Sequence, residues 1–337
     1  MDIPPDDSAR LQEQQRLELQ RQQQREDVLR QQNEPVAAVS PPAAAPSVPH
    51  LTYPAREQPC FVIDQIELVG EEAQRFEFAL RAVIAAEDSP LHRCLGAEGV
   101  NVVMTRVQNI ILQRGFITTR VLAPPQNVSS GHLRLQLLPG RLHAIRRVEH
   151  APSRLQLWTA LPSREGALLN LRDMEQGVEN LKRLPTVEAD IQVEPAAGLA
   201  PRPGESDLAL RWRQEFPWRF SASLDDSGSD NTGKYQGSVT FSYDNPFGLN
   251  DLFYVTATHD LNKGSDFPQG TEGYFGHYSL PFSYWLLAFS ASRNAYHQSV
   301  AGATQTYRYS GRSSNQDVKL SRVLYRSAQR KTTAALR

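Results

Sequence analysis

The sequence predicts two consecutive α+β domains followed by the first strands of an antiparallel transmembrane β-barrel, with a polar helix ahead of them. Three observations support this fold class. A Gln-rich N-terminal segment has the composition of a helix but no continuous apolar stripe, and two successive segments share the element order β-α-α-β-β. From residue 216 onward, strands of roughly ten residues alternate apolar and polar side chains.

Composition argues against several functional classes. The 337 residues carry a formal net charge of -1, which gives no indication of nucleic-acid binding, and no apolar run approaches the length of a transmembrane helix. A membrane protein built from β-strands is expected to be this polar, because only every second strand residue meets lipid. The eight histidines are scattered and no metal-ligand, nucleophile or phosphate-loop motif occurs, so we predict neither an enzyme nor a cofactor.

The first 32 residues are predicted to form a polar helix. Residues 11–32, LQEQQRLELQRQQQREDVLRQQ, are good helix formers, but their apolar residues form no stripe. A disordered Gln-rich tail is the alternative that these residues leave open. Residues 33–59 are rich in Pro and Ala and are predicted to form a semi-rigid linker. The opening MDIPP is neither basic nor apolar, so no signal peptide is visible.

Residues 60–140 and 141–215 are predicted to form the two α+β domains. In the first, CFVIDQIELVG is a strand, AQRFEFALRAVIAA and VNVVMTRVQNIILQRGF are amphipathic helices, and TTRVLAPP and GHLRLQLLPG are strands. The second begins with the strand RLHAIRRVE and a short helix near Arg154–Ala160. Asn170 then caps the helix LRDMEQGVENLKRL, which precedes the strands VEADIQVEP and SDLALRWRQ.

Residues 216–337 are predicted to contain about six or seven antiparallel strands. In YQGSVTFSYD the apolar face holds Tyr235, Val239, Phe241 and Tyr243, whereas the opposite face is polar. Lipid outside and water inside explain such a pattern. A soluble β-sandwich is the alternative, since it would bury the same apolar face against a second sheet.

Four segments make the chain resemble the TpsB transporters of two-partner secretion, the haemolysin secretion/activation family of Gram-negative outer membranes. They are PCFVIDQIEL, ILQRGFITTRVLAPPQNVSSGHLRLQLLPGRLHAIR, LLNLRDMEQGVENLKRLPTVEADIQVEP and SLDDSGSDNTGKYQGSVTFSYDNPFGLNDLF. The resemblance covers residues 11 to about 327. The middle two segments are long enough that chance agreement is very improbable.

The resemblance implies a layout. Residues 1–32 would be a plug helix inside a water-filled barrel, where an all-polar surface is required. Residues 33–59 would cross to the periplasm, 60–140 and 141–215 would be POTRA domains, and 216–337 would be part of an outer-membrane barrel of about sixteen strands. From the residues alone, Cys60 and Cys94 are either thiols or a pair. The resemblance implies that they form a disulfide.

The resemblance also implies partners, namely outer-membrane lipid and one unfolded secreted exoprotein: a haemolysin, a haemagglutinin or adhesin, or a contact-dependent inhibition toxin. An extended client would pair with a POTRA strand edge. The candidate edge residues are Thr118, Thr119, Arg120 and Val121 in the first domain and Val187, Ala189 and Ile191 in the second. The candidate pore-facing residues are Ser221, Ser223, Gln236, Ser238 and Thr240.

Two other roles stay open at this point. Because the family's barrel continues beyond the strands predicted here, we expect a C-terminally truncated or fragmentary member of the family. Such a remnant could act only as a soluble periplasmic POTRA pair that binds clients. A BamA-like outer-membrane assembly factor is the second alternative, although the Gln-rich helix argues against it.

Overall fold

A computed structural model describes residues 5–33, 51–148, 155–198, 202–226, 228, 233–261, 270–301 and 306–337. The polar N-terminal segment is helical, as predicted, and begins earlier than residue 11: α1 spans Pro5–Asn33. Its 29 residues reach about 43 Å at 1.5 Å per residue. Of the predicted linker, residues 34–50 lie outside the described residues. No helix in the described ranges has the length and apolarity needed to span a membrane.

The first domain has a three-stranded sheet covered by two helices. Its elements are β1 (Phe61–Ile63), β2 (Gln65–Val69), α2 (Ala73–Ile84), β3 (Arg93–Leu95), α3 (Ala97–Gln113), β4 (Arg120–Leu122) and β5 (His132–Leu138). The sheet order is β2-β5-β4, and β1 pairs separately with β3. The predicted strand CFVIDQIELVG is therefore two strands. It divides at Asp64, whose backbone N–H bonds to the Gly131 carbonyl at 2.8 Å and moves the chain onto β5.

The first domain begins before residue 60. The carboxylate of Glu57 accepts hydrogen bonds from the backbone N–H groups of Gly96 (2.6 Å), Glu98 (2.8 Å) and Gly99 (3.1 Å) at the start of α3. Such an acidic cap satisfies orphan helix donors and is worth about 0.5–2 kcal/mol. The guanidinium carbon of Arg106 lies 4.4 Å from the centre of the Tyr53 ring. The last residues of the predicted linker are thus part of the domain.

The second domain repeats this architecture. Its elements are β6 (Arg141–Val148), α4 (Leu157–Ala160), α5 (Leu171–Lys182), β7 (Val187–Pro195) and β8 (Glu205–Gln214), with sheet order β6-β8-β7. The predicted cap is confirmed, because the Asn170 side chain accepts a hydrogen bond from Arg172 N at 2.8 Å. The short helix starts at Leu157, and position 154 lies outside the described residues.

Seven strands follow in one antiparallel sheet. They are β9 (Trp218–Asp225), β10 (Gln236–Asp244), β11 (Leu252–Asp260), β12 (Gly270–Phe282), β13 (Trp285–Ala301), β14 (Thr306–Arg326) and β15 (Lys331–Leu336). Each strand pairs with the next along the chain, so β9 and β15 are the two edges within the described residues. The structure therefore confirms the predicted fold class of two α+β domains followed by an antiparallel sheet.

Candidate functional site

The predicted pore-facing residues all lie on one face of the seven-stranded sheet. Ser221 is paired with Thr240 and Ser223 with Ser238 in the register of β9 and β10. The hydroxyl oxygens of Ser223 and Ser238 are 2.7 Å apart, and Gln236 is buried on the same face. This inner face is continuous into β11, because Thr240 Oγ1 lies 2.8 Å from the hydroxyl oxygen of Thr256. That the inner face lines a pore stays a prediction.

The opposite, outer face is apolar and exposed. Phe220 is 74% exposed, Val239 42% and Val318 52%, whereas the inner-face residues Gln236 and Thr240 of β10 are buried. This is the reverse of the distribution in a soluble protein, whose apolar residues lie inside. A soluble β-sandwich would cover this face with a second sheet. No second sheet covers it in the part of the chain that the structure describes.

Helix α1 lies against the inner face. Arg30 Nη2 donates to Ser290 Oγ at 3.1 Å and lies 3.5 Å from a carboxylate oxygen of Asp317. The same guanidinium lies 5.7 Å from the centre of the Phe275 ring. Toward β9, a cleft of about 480 Å³ separates the helix from the sheet, and it is lined by polar residues of the sheet such as Ser223 and Gln236 and, on the helix, by arginine and glutamine side chains together with Val28 and Leu29. The helix is thus held by the last of its arginines, with water-accessible space beside it.

The second domain docks onto the sheet through the polar side of α5. Arg326, at the end of β14, reaches Glu175 (3.3 Å), Gln176 Oε1 (2.7 Å) and Glu179 (2.9 Å). Lys331 adds a second ion pair to Glu179. Because the apolar residues of α5 face the domain core, this helix is buried on both sides. Sequence periodicity found only the apolar stripe; the buried polar stripe depends on a sheet that is distant in sequence.

Strand turns of the sheet form further contacts with the second domain. Asn180 Nδ2 donates to the carbonyls of Ala160 (2.7 Å) and Ser283 (2.8 Å), which joins α4, α5 and the β12–β13 turn. The neighbouring Tyr284 hydroxyl donates to Asp173 Oδ1 at 2.5 Å. Burial and this carboxylate raise the pKa of Tyr284 far above its ordinary range, so the hydroxyl stays a donor.

The predicted strand edge of the first domain is shorter than expected. Arg120 and Val121 belong to β4, but Thr118 and Thr119 precede it, which corrects the predicted extent of this edge. Thr119 is fully buried, and its hydroxyl accepts a hydrogen bond from Gly140 N at 3.0 Å. That bond ties the chain to the interdomain segment before the strand begins. A client strand could therefore meet only three β4 residues here.

The predicted edge of the second domain is a full strand. Val187, Ala189 and Ile191 lie in β7, which spans nine residues and stands at the end of the sheet. Val187 and Ala189 direct their side chains into the domain core. Both candidate edges are thus edges in the structure, and client contact with them stays a prediction.

The two cysteines and one buried carboxylate stabilise the domains. Cys60 and Cys94 form a disulfide beside the β1–β3 pair, with their Cα atoms 5.2 Å apart.

In the second domain the buried carboxylate is Asp207, which is 1% exposed and contacts Arg146 at 2.9 Å and His143 at 2.8 Å. Burial by itself would raise the pKa of Asp207. The hydrogen bonds from Ala197 N and His143, with the charge of Arg146, outweigh burial and lower the pKa below its ordinary value. In the described ranges no cluster of His, Cys, Asp and Glu has the geometry of a metal site.

Three family models match the chain in succession. The ShlB-type POTRA domain matches residues 61–140, the POTRA domain matches 141–195, and the haemolysin secretion/activation protein ShlB/FhaC/HecB matches 204–337. The first match follows the first domain, whereas β8 (Glu205–Gln214), the central strand of the second domain's sheet, falls within the third match together with the seven-stranded sheet.

Individual proteins give the same result. The chain is 38% identical over 86% of its length to the outer membrane transporter CdiB-2 of Burkholderia pseudomallei, covering 51% of that protein. It is 30% identical over 98% of its length to an outer membrane transporter CdiB of Escherichia coli, covering 53%. The structure of CdiB from Acinetobacter baumannii superposes with a TM-score of 0.80 at 31% identity, over 99% of this chain and 62% of that one.

The chain spans about half the length of the curated relatives it matches. The superposition with the solved CdiB structure nevertheless covers 99% of this chain, so it includes the N-terminal helix, both α+β domains and the sheet. Residues 204–337 therefore belong to the haemolysin secretion/activation ShlB/FhaC/HecB family, and two POTRA domains precede them in the chain.

Proposed function

We propose that this chain acts in two-partner secretion, as part of an outer-membrane transporter that exports one large exoprotein. The two POTRA domains would lie in the periplasm and the seven-stranded sheet in the outer membrane. The observation that carries the proposal is the inverted sheet: an exposed apolar outer face and a polar inner face occupied by α1. The relatives named as outer membrane transporters support it.

Transport would proceed in steps that use the described surfaces. An unfolded client adds as a strand to a POTRA edge, where backbone hydrogen bonds provide affinity without requiring one sequence. The domain that receives it is fixed to the strand turns through Arg326 and Asn180, so the client arrives at the periplasmic end of the sheet. Hydroxyl and amide side chains such as Ser238, Thr240 and Gln236 line much of the inner face near β9 and β10 and offer an unfolded chain little apolar surface there. Client folding outside the cell would then make threading irreversible.

The proposed role needs neither a catalytic residue nor a cofactor. The α1 helix and the second domain are held to the sheet by hydrogen bonds and ion pairs, and folding of the client outside the cell would supply the free energy for export. We propose a lipid partner for the outer face, because burying its aromatic and aliphatic side chains in hydrocarbon is favourable at about 25 cal/mol per Å².

Secretion by cells tests the proposal. The gene is deleted from its host and restored on a plasmid, and the culture medium is analysed for large secreted exoproteins. We expect the exoprotein to disappear from the medium on deletion and to return on restoration. A protein found in the soluble periplasmic fraction with unchanged exoprotein release would contradict the proposal and favour a soluble client-binding role. Altered assembly of many unrelated barrels would instead favour an assembly factor.

A further inference from the structure

We propose that the two POTRA edges are not equivalent. Two glutamine side chains close the sheet edge of the first domain. The client therefore pairs with β7, the edge strand of the second domain. The client segment that pairs there is extended and has basic residues at alternate positions. This inference rests on the proposed function, and it names the edge and the client chemistry that the proposed function leaves open.

Gln108 of α3 closes the outer side of β4. Its Nε2 donates to the Thr119 carbonyl at 2.7 Å, and its Oε1 accepts from Val121 N at 2.7 Å. In a strand, residues two apart direct their backbone groups to the same side, and here that side faces away from β5. A side-chain amide carries one acceptor and two donors, so this glutamine occupies the groups that an added strand would need.

Gln126 closes the part of β5 that the short β4 does not reach. Its Nε2 donates to the Arg134 carbonyl at 2.7 Å, and its Oε1 accepts from Arg134 N at 2.7 Å. Strand β4 pairs with β5 only from Gln136 to Leu138, so Arg134 would otherwise present an unpaired edge. With both glutamines in place, the outer edge of this sheet is closed by side chains of the domain itself.

The edge of the second domain has no such closure. Glu215 N donates to the Thr186 carbonyl at 2.9 Å across β8. By alternation, the odd-numbered residues of β7 then direct their backbone groups away from β8. Among the described residues, no side chain bonds to the outward backbone groups of Ala189, Ile191 or Val193, and no strand lies on the side of β7 away from β8. These residues form the open β7 edge.

The side chains beside the open β7 edge select a basic client. Glu188 and Asp190 are exposed on the solvent face of β7, and their register partners on β8 are Arg213 and Arg211. An added strand would place its own alternate residues on the other flank of the two carboxylates. Opposite charges directly across a strand pair are favourable and like charges are not. Lys or Arg in the added strand, opposite Glu188 and Asp190, would therefore give the most favourable cross-strand charge pairs.

A trapping experiment on the full chain in detergent micelles tests this inference. Both native cysteines are bonded, so Arg120→Cys on β4 and Gln192→Cys on β7 each provide one free thiol. The probe is a ten-residue peptide of alternating valine and lysine with an activated terminal disulfide; a valine–glutamate peptide is the matched probe. We expect the lysine peptide to be trapped about tenfold more at position 192 than at 120, and more than the glutamate peptide at 192.

The second part of the experiment removes the two glutamines that close the sheet edge of the first domain. In the Q108A/Q126A background we expect trapping at position 120 to rise to the level seen at 192, while Gln113→Ala, an exposed glutamine at the end of the same helix, leaves it unchanged. Amide hydrogen exchange reports the closure without a peptide: Val121 should exchange faster in Q108A, and Arg134 faster in Q126A. These amides remain measurable whether or not any peptide binds.

Each outcome decides a different claim. Equal trapping at both edges of the native chain, or exchange rates that the substitutions leave unchanged, would overturn the inference. Trapping at neither edge would overturn β7 docking and, with it, capture by strand addition. A chain that traps the lysine peptide as expected but does not restore exoprotein release would refute the proposed function alone.

Discussion

Replacing Arg326 should undock the second POTRA domain from the sheet. The Arg326 side chain is 9% exposed, and Arg326→Ala removes the ion pairs to Glu175 and Glu179 together with the hydrogen bond to Gln176. Breaking a buried pair from one side costs about 3–5 kcal/mol, because the other charge stays buried. Here Glu175 keeps Arg172 at 2.6 Å and Glu179 keeps Lys331. We therefore expect Arg326→Ala to lower the free energy of unfolding by about 3 kcal/mol, the lower end of that range.

Urea unfolding of the full chain in detergent micelles measures this loss. Arg330→Ala is the matched control: it removes an exposed arginine from the same turn, and it should change the free energy of unfolding by less than about 0.5 kcal/mol. A loss for Arg326→Ala no larger than that of the control would show that the contacts between α5 and β14 do not hold the domain, and would refute the docking argument.

Three further predictions concern the first domain, the second domain and α1. Replacing both Cys60 and Cys94 by Ser opens a loop with a sequence separation of 34 and should lower the free energy of unfolding by about 4 kcal/mol, measured by urea titration. Asp207→Asn should cost about 2 kcal/mol at neutral pH, since it weakens charge-assisted hydrogen bonds. Because the folded pKa of Asp207 is lowered, its contribution is complete above the ordinary pKa of about 4 and is lost as the pH falls below it. Arg30→Ala should release α1, so that a buried Ser290→Cys thiol reacts several-fold faster with a water-soluble maleimide.

A contradicting result is defined for each of these predictions, and the second and third also have a control variant. Free thiols detected at both cysteines in untreated protein would contradict the first. Asp190→Asn, at an exposed carboxylate of the same domain, should leave stability and its pH dependence unchanged; an equal effect from both substitutions would contradict the second. Arg16→Ala, at an exposed arginine of α1, should not change the labelling rate at position 290, and an equal increase would contradict the third.

Local patterns sufficed for much of the fold. Alternation in YQGSVTFSYD predicts β10 and its two faces, because side-chain direction in a strand has a period of two residues. The Asn170 cap and the apolar stripe predict α5 for the same reason: both depend on residues close in sequence. The division of the first strand at Asp64 was not predictable, since it depends on the Gly131 carbonyl.

The candidate site was less accessible to sequence reasoning. The glutamines Gln108 and Gln126 look like ordinary surface residues, and only the folded domain shows that each spans two backbone groups. The buried polar side of α5 was missed likewise, because Glu175 and Gln176 resemble a solvated helix face until Arg326 approaches from residues far along the chain. Polar side chains acquire such roles from partners that local patterns do not contain.

Spin-label accessibility along β10, β13 and β14 tests the central claim that the outer face meets lipid and the inner face meets water. Labels at Val239, Leu287 and Val318 occupy the outer face, and labels at Ser238 and Asp317 the inner one. In liposomes, we predict that the outer labels collide with oxygen and the inner labels with a water-soluble nickel complex, alternating with a period of two residues. Outer labels shielded from both reagents would place a second layer of protein over this face, and would contradict the membrane assignment.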